Sequence, residues 1–126
     1  WKTNTTKMKR VLISGAAGVA TCIGADFAKV NYPNAWEGMT QPESLAVAVE
    51  AAGRTGIICS GGGSLPPREF LERLHSQINI AGCRGAATGR NIHQKTTEDA
   101  VRMTAACHAI ICDNASVEEA MAIFQG

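Results

Sequence analysis

Three parts of the chain repeat one pattern, in which an apolar run of strand-like length is followed by a glycine-rich turn and then by a stretch of helical periodicity. The apolar runs are residues 25–32, 55–59 and 82–88. Pro33 closes the first run because it cannot donate to a sheet ladder, and glycines at 61–63 and at 89 follow the other two. The pattern predicts three strands that end near Lys29, Cys59 and Thr88.

Helices are predicted between and after these strands. Prolines precede residues 44–52 and 68–80, as is common at the first helical turn. Acidic residues after Thr97 and after Ser116 predict capped helices over 100–111 and 116–126, and a further helix over 6–22 precedes the first strand. In 68–80 the apolar positions form a stripe suited to covering a sheet: Phe70, Leu71, Leu74 and Ile78.

The spacing of the predicted strands indicates an α/β fold with a parallel sheet. Lys29 and Ser60 are 31 residues apart, and Ser60 and Gly89 are 29 apart. Right-handed crossovers of this length place all the strand ends on one edge. The closed form of this architecture is the TIM (β/α)8 barrel, which takes about 250 residues and carries its active site on that edge.

Three strands on their own would leave two sheet edges and the barrel interior uncovered. We therefore expect residues 1–126 to be the C-terminal segment of a single barrel, about strands six to eight, with the N-terminal strands missing from this chain. The first residue, Trp1, is not an initiator methionine, which fits a chain trimmed at its front.

Composition excludes several classes of partner. The 12 Lys and Arg residues and 11 Asp and Glu residues give a net charge of +1 without a run of like charge, so no nucleic-acid or membrane partner is expected. The uncharged stretch 11–25 is too short and too mixed to span a bilayer, and the first residues lack a signal-peptide core. Five cysteines without C-x-x-C spacing favour reduced thiols and a cytoplasmic protein.

Lys29 is the leading catalytic candidate. It lies within an apolar run, and strand alternation places it on one face with Phe27 and Asn31. In a barrel mouth, desolvation would lower the pKa of the amine and leave it able to attack a carbonyl and form a Schiff base. The pattern alone favours equally a lysine at the strand edge that points to solvent beside Pro33.

Two loops that follow strands are candidates for binding an anion. The backbone N–H groups of Ser60, Gly61 and Gly62 could surround a phosphate, although a plain tight turn would also explain the glycines. Gly89 and Arg90 repeat the arrangement, and the Arg90 guanidinium can bind phosphate oxygens bidentately. Barrels frequently hold phosphate after strands seven and eight, so Lys29 falls on strand six.

The other polar residues are assigned no chemistry. No His, Cys, Asp or Glu cluster has metal-ligand spacing, so neither a metal nor a cofactor is predicted. His93 follows the third strand and is interpreted as structural, as is Tyr32 at the end of the first. Asp26 should face away from Lys29 by alternation.

Three motifs in this order resemble the archaeal and bacterial (DhnA-type) class I fructose-bisphosphate aldolases. They are residues 24–33 (GADFAKVNYP), 60–62 (SGG) and 87–94 (ATGRNIHQ). The resemblance implies that Lys29 forms the Schiff base and that Ser60, Gly61, Gly62, Gly89 and Arg90 hold a substrate phosphate. It also implies metal-free, reversible cleavage of fructose 1,6-bisphosphate to dihydroxyacetone phosphate and glyceraldehyde 3-phosphate in glycolysis and gluconeogenesis, by a homo-oligomer.

The resemblance covers only the C-terminal part of the family's barrel. The family's aspartate and tyrosine for proton transfer lie on earlier strands, so the isolated segment is expected to be inactive without the remaining N-terminal part. Two alternatives stay open. One is a related lysine enzyme, such as a thiolase or a heptulosonate synthase, that acts on another phosphorylated sugar. The other is a non-catalytic phosphate-binding fragment.

Overall fold

The computed structural model describes the backbone of residues 5–126 and the side chains from residue 11 onward. Strands and helices alternate along this part of the chain, with two further helices at its end. The strands are β1 (Phe27–Val30), β2 (Gly56–Ser60) and β3 (Gly85–Ala87). The helices are α1 (Thr5–Cys22), α2 (Gln41–Ala51), α3 (Pro67–Asn79), α4 (Arg90–His93), α5 (Thr97–Cys112) and α6 (Val117–Gln125).

The three strands form one parallel sheet in chain order, β1-β2-β3. Lys29 is paired with Ile58, and Ile58 with Gly85, so these residues lie in one row across the sheet. Each strand ends within one residue of its predicted end, and all three ends lie on the same edge. The prediction of a parallel sheet built from βα units is therefore confirmed.

In the part of the chain that the structure describes, the helices cover one face of the sheet. Val30, Ile57 and Cys59 are buried on the helix-covered face, as strand alternation requires. On the other face Phe27 is 56% exposed, and Lys29 and Asn31 are exposed as well. We call the face that carries Phe27, Lys29 and Asn31 the open face.

Two apolar clusters hold the helices in place. The first joins α1 and α2 to β1 and β2, around the fully buried Leu45. The second joins α3 to α5 and α6 and buries Phe70, Leu71 and Leu74, which confirms the apolar stripe predicted for 68–80. Ile78 packs against both clusters and links them.

The helix starts show where local hydrogen bonding extends the predicted elements. α2 begins three residues before Ser44, because Thr40 and Glu43 form a reciprocal capping box. The cap of α5 is Thr96, whose side chain accepts from the N–H of Asp99, so the prediction of Thr97 as the cap is wrong by one residue. Ser116 caps α6 as predicted.

None of the helices in the described part of the chain combines the length and the apolar character needed to cross a bilayer.

Candidate active site

Lys29 lies at the C-terminal end of β1 on the open face. Its neighbour across the sheet is Ile58 in β2, and it shares its face with Phe27 and Asn31. The helices pack against the opposite face, so the Lys29 side chain does not lie on the outer, helix-covered wall. Lys29 is exposed on this face, so both the position in a barrel mouth and the solvent-facing position considered from the sequence fit its placement.

The loop after β2, residues 60–64, folds against the end of β3. The N–H of Gly61 donates to the carbonyl of Ala87 across 2.7 Å. A Cβ at position 61 would lie 2.8 Å from the carbonyl oxygens of both Ala87 and Thr88, so only glycine permits this approach. Gly62 has a φ of 68°, in the left-handed region that favours glycine. We call residues 60–64 the β2 loop.

Arg90 connects the two predicted anion loops directly. Its Nη2 donates to the carbonyl of Gly62 across 3.1 Å. Gly89, which precedes it, has a φ of 46° and turns the chain from β3 into the short helix α4. The structure thus brings Gly61, Gly62, Gly89 and Arg90 together, as their positions after neighbouring parallel strands predicted.

A hydrogen bond also connects the β1 end to the β2 loop. Ser60 Oγ donates to Asn31 Oδ1 across 2.9 Å on the open face. Lys29 is two residues before Asn31, which places it about 7 Å along the strand from this contact. The end of β1 that carries Lys29 and the start of the β2 loop are therefore neighbours on the open face.

Asn91 is a residue of this site that sequence reasoning left without a role. It is 1% exposed and lies under the β2 loop. Its Oδ1 accepts from the N–H of Leu65 at 2.9 Å, and its Nδ2 is 3.1 Å from the carbonyl of Gly63. The sequence signal was an asparagine directly after a strand-end Gly-Arg pair, since asparagine side chains commonly bond loop backbone.

A second arginine supports the β2 loop from the helix side. The Arg73 guanidinium of α3 lies 4.7 Å from the ring centroid of Tyr32, within cation–π distance. A Cβ at Gly62 would be 3.6 Å from Arg73 Nη1, so this cation lies directly behind the loop. Burial raises the pKa of the Tyr32 phenol above its ordinary value, and Tyr32 packs against the first apolar cluster, as its structural interpretation predicted.

The remaining nucleophiles and potential ligands lie apart from Lys29. Burial raises the pKa of the Cys59 thiol to about 11, so it stays protonated beneath the sheet. His108 is on α5, where its Nδ1 lies 3.3 Å from Asp113 Oδ2. His93 is exposed at the end of α4. In the part of the chain with described side chains, no group of three or more His, Cys, Asp or Glu residues could hold a metal ion.

Comparison with known proteins identifies the family. A profile of the DeoC/LacD family aldolases matches residues 2–95. The chain belongs to the DeoC/LacD aldolase family. Over 115 residues it is 54% identical to the fructose-bisphosphate aldolase/6-deoxy-5-ketofructose 1-phosphate synthase of Methanocaldococcus jannaschii, covering 91% of this chain and 36% of that protein.

Solved structures of the family share the fold. The fructose-bisphosphate aldolase from Slackia heliotrinireducens is 53% identical, with a TM-score of 0.89 over 93% of this chain and 37% of that one. An archaeal fructose-1,6-bisphosphate aldolase, solved with its catalytic lysine covalently bound to a carbinolamine intermediate, is 27% identical, with a TM-score of 0.67 over 81% of this chain and 38% of that one.

These matches confirm the predicted fold class. The chain has the fold of the C-terminal part of a class I aldolase TIM barrel, and it spans a little over a third of the length of the relatives it matches.

Proposed function

We propose that this chain contributes the Schiff-base lysine and the phosphate site of a class I aldolase that reversibly cleaves fructose 1,6-bisphosphate to dihydroxyacetone phosphate and glyceraldehyde 3-phosphate. Membership of the DeoC/LacD aldolase family supports this reaction class. Glycolysis and gluconeogenesis are the pathways that the reaction serves.

One observation carries the proposal. Lys29 lies on the open face of the sheet, two residues before Asn31, which contacts Ser60 at the start of the β2 loop, and Arg90 joins that loop to the end of β3. An amine and an anion site placed this close suit a substrate that has a ketone near a phosphate group.

The chemistry follows from the properties of an imine. The neutral Lys29 amine attacks the substrate ketone to give a carbinolamine, which loses water to form an iminium ion. As the carbon–carbon bond breaks, its electron pair enters the iminium, which becomes an enamine. The hydroxyl on the other carbon loses its proton to a base on the strands that this chain does not supply, and the resulting aldehyde leaves. Protonation and hydrolysis then return the free lysine. The iminium is the electron sink, so the proposal includes neither a metal nor a cofactor.

The substrate phosphate is assigned to Ser60, Gly61, Gly62, Gly89 and Arg90. The Gly61 N–H already donates to the Ala87 carbonyl, so the directional donors are the other backbone N–H groups of the loops. The Arg90 guanidinium has five N–H groups, of which the contact with Gly62 uses one. The Arg73 guanidinium, 3.6 Å from where a Cβ of residue 62 would lie, adds positive potential near the loop.

The proposal includes partners that this chain does not supply. The open face requires further strands to exclude water from Lys29, and these strands would carry the groups for proton transfer. We therefore assign the remaining N-terminal part of a barrel as the structural partner, in a homo-oligomer. The five cysteines are unpaired, which supports a reducing, cytoplasmic location.

Borohydride trapping tests the covalent role of Lys29. The full-length protein is incubated with dihydroxyacetone phosphate and reduced, and peptide mass spectrometry locates the secondary amine. We expect the adduct on Lys29, and we expect it to be absent in Lys29→Met. Lys95 lies over the Phe124 ring, away from the site, so Lys95→Met is the matched control and should still form the adduct. Folded wild-type protein that traps no adduct would rule out the aldolase proposal.

A second candidate is the same lysine chemistry on another phosphorylated sugar. The Methanocaldococcus jannaschii relative carries two activities in its name, and the second is a 6-deoxy-5-ketofructose 1-phosphate synthase. Trapping with a panel of phosphorylated ketoses separates the candidates, because the preferred substrate gives half-maximal trapping at the lowest concentration. Phosphate binding without any trapping would favour the non-catalytic module.

A further inference from the structure

The Asn91 carboxamide lies at the centre of a compact set of hydrogen bonds that involves both anion loops. Its Oδ1 accepts from the N–H of Leu65 at 2.9 Å. Its Nδ2 is 3.1 Å from the Gly63 carbonyl, 3.3 Å from that of Gly61 and 3.4 Å from that of Thr88. One buried side chain therefore contacts the β2 loop at two positions, the residue that follows the loop at a third and the end of β3 at a fourth.

These contacts determine the direction of the peptide groups in the β2 loop. In a trans peptide the carbonyl and the following N–H point in opposite directions, and the described chain has no cis peptide bond. The carbonyls of Gly61 and Gly63 point toward Asn91, so the N–H groups of Gly62 and Ser64 point away from it. Asn91 thus turns the acceptors inward and leaves donors on the outer side of the loop.

The β2 loop needs such a constraint because its sequence is intrinsically flexible. Gly62, Gly63 and Ser64 are exposed and have no apolar side chain to anchor them. Three consecutive glycines lose more conformational entropy on ordering than other residues, and a ligand that had to order them would bind more weakly. Asn91 orders the loop before the ligand arrives, since leaving its buried amide unbonded would cost free energy.

We propose that Asn91 is a positioning residue that presents the β2 loop for the phosphate group of the substrate. This inference rests on the proposed function, because it assumes that the β2 loop binds that phosphate. Asn91 touches the loop backbone and acts through it, and its role concerns the phosphate and not the covalent step at Lys29.

Two ligands that differ only in the phosphate separate this role from a general structural one. Dihydroxyacetone phosphate and dihydroxyacetone present the same ketone to Lys29, but only the first has a phosphate. Borohydride trapping of the full-length protein gives a half-maximal concentration for each. Two variants are used: Asn91→Asp keeps the shape and the acceptor oxygen but loses the donors, and Asn91→Ser shortens the side chain.

We expect the half-maximal concentration of dihydroxyacetone phosphate to rise by about tenfold or more in either variant that folds, while that of dihydroxyacetone stays unchanged. Arg90→Ala should show the same selectivity. Asn79→Ser is the matched control, because Asn79 bonds only the carbonyl of His75 at the exposed end of α3 among the contacts described, and it should behave as wild type.

The outcomes distinguish the two proposals. No trapping of either ligand by the wild-type protein overturns the aldolase function itself. Normal wild-type trapping with an equal loss for both ligands in both Asn91 variants assigns Asn91 to general folding and overturns the positioning role. Unchanged values for both ligands overturn it as well.

Discussion

A methyl group at position 61 would meet two backbone oxygens at 2.8 Å, whereas a methyl group at position 63 would meet no atom within 4 Å. The difference arises because the chain at Gly61 crosses directly over the end of β3, while Gly63 lies on the outer side of the β2 loop. Backbone oxygens cannot rotate away as the end of a flexible side chain can. Two glycines separated by a single residue therefore have opposite tolerance to substitution.

We expect Gly61→Ala to destabilise the protein by about 1–3 kcal/mol, as overpacking against fixed atoms does. The matched variant Gly63→Ala should be neutral or slightly stabilising, because alanine restricts the unfolded chain more than glycine does. Urea denaturation of both variants measures the difference. Equal stability for the two would show that the β2 loop does not lie against Ala87 and Thr88 in solution.

Residue spacing was sufficient to predict that the end of β1 and the two loops meet, because parallel topology determines which strand ends lie together; the role of Lys29 came from the family resemblance and stays a prediction. Spacing was insufficient for Asn91. The role of a carboxamide depends on which backbone groups surround it. Three of the four contacts of Asn91 are with residues 26 or more positions away in the chain. Sequence pattern carries no information on such contacts.

Among the elements, three helices have starts that are fixed by side-chain caps: α2, α5 and α6. At α6 the Ser116 side chain accepts from the N–H of Glu119 at 3.3 Å, and Glu119 Oε2 accepts from the N–H of Ser116 at 2.8 Å. This reciprocal pair satisfies N–H groups that have no partner within the helix. It also orients α6 against α3 and α5, where Ala120 and Met121 are buried.

Ser116→Ala should lower the free energy of unfolding by about 1 kcal/mol, and Ser116→Thr should retain most of it. The hydrogen bonds from Ser116 lower the pKa of the Glu119 carboxyl, so their stabilising effect is present at neutral pH and is lost as the pH falls through that lowered pKa. Urea midpoints at neutral and acidic pH measure this. A gap between wild type and Ser116→Ala that widened in acid would contradict the cap.

The same capping signals explain which element bounds were predictable. Ser116 precedes two acidic residues and is followed by a stretch of uniform helical pattern, so its helix was placed correctly. α4 was not predicted, because four residues are too few to show a helical period in the sequence. The turn that leads into α4 depends on the positive φ of Gly89. β3 was the least distinctive strand in sequence, since Gly85-Ala86-Ala87 has low β propensity and forms a strand through pairing with β2.

For the molecule as a whole, the decisive feature is that the described helices cover one face of the sheet and leave the other uncovered. Phe27 is 56% exposed there, although a phenylalanine on a strand is usually buried. Its ring lies over Gly56, where a Cβ would come within 2.7 Å of it, so the two residues already fit together as one row of a filled interior. If the open face is the inner wall of a barrel, as the fold of the relatives implies, the exposed Phe27 ring should become covered when the remaining strands are present.

Accessibility of a thiol at position 27 tests this interpretation. Phe27→Cys is made in the chain 1–126 and in a chimera in which these residues replace the matching segment of the Methanocaldococcus jannaschii relative. The new thiol should react freely with a maleimide in the chain alone and at least about tenfold more slowly in the chimera, because the added strands exclude the reagent. Peptide mass spectrometry gives the rate for each cysteine.

The natural cysteines supply the internal control for that experiment. Burial raises the pKa of Cys59 and Cys107 to about 11 and that of Cys83 to about 12, so all three should stay unmodified in both proteins at neutral pH. Their labelling would report unfolding and not an open face. If these three cysteines stay unmodified and the position-27 thiol reacts at the same rate in both proteins, the open face is not the inner wall of a barrel. Lys29 would then lack the enclosure that its proposed chemistry requires.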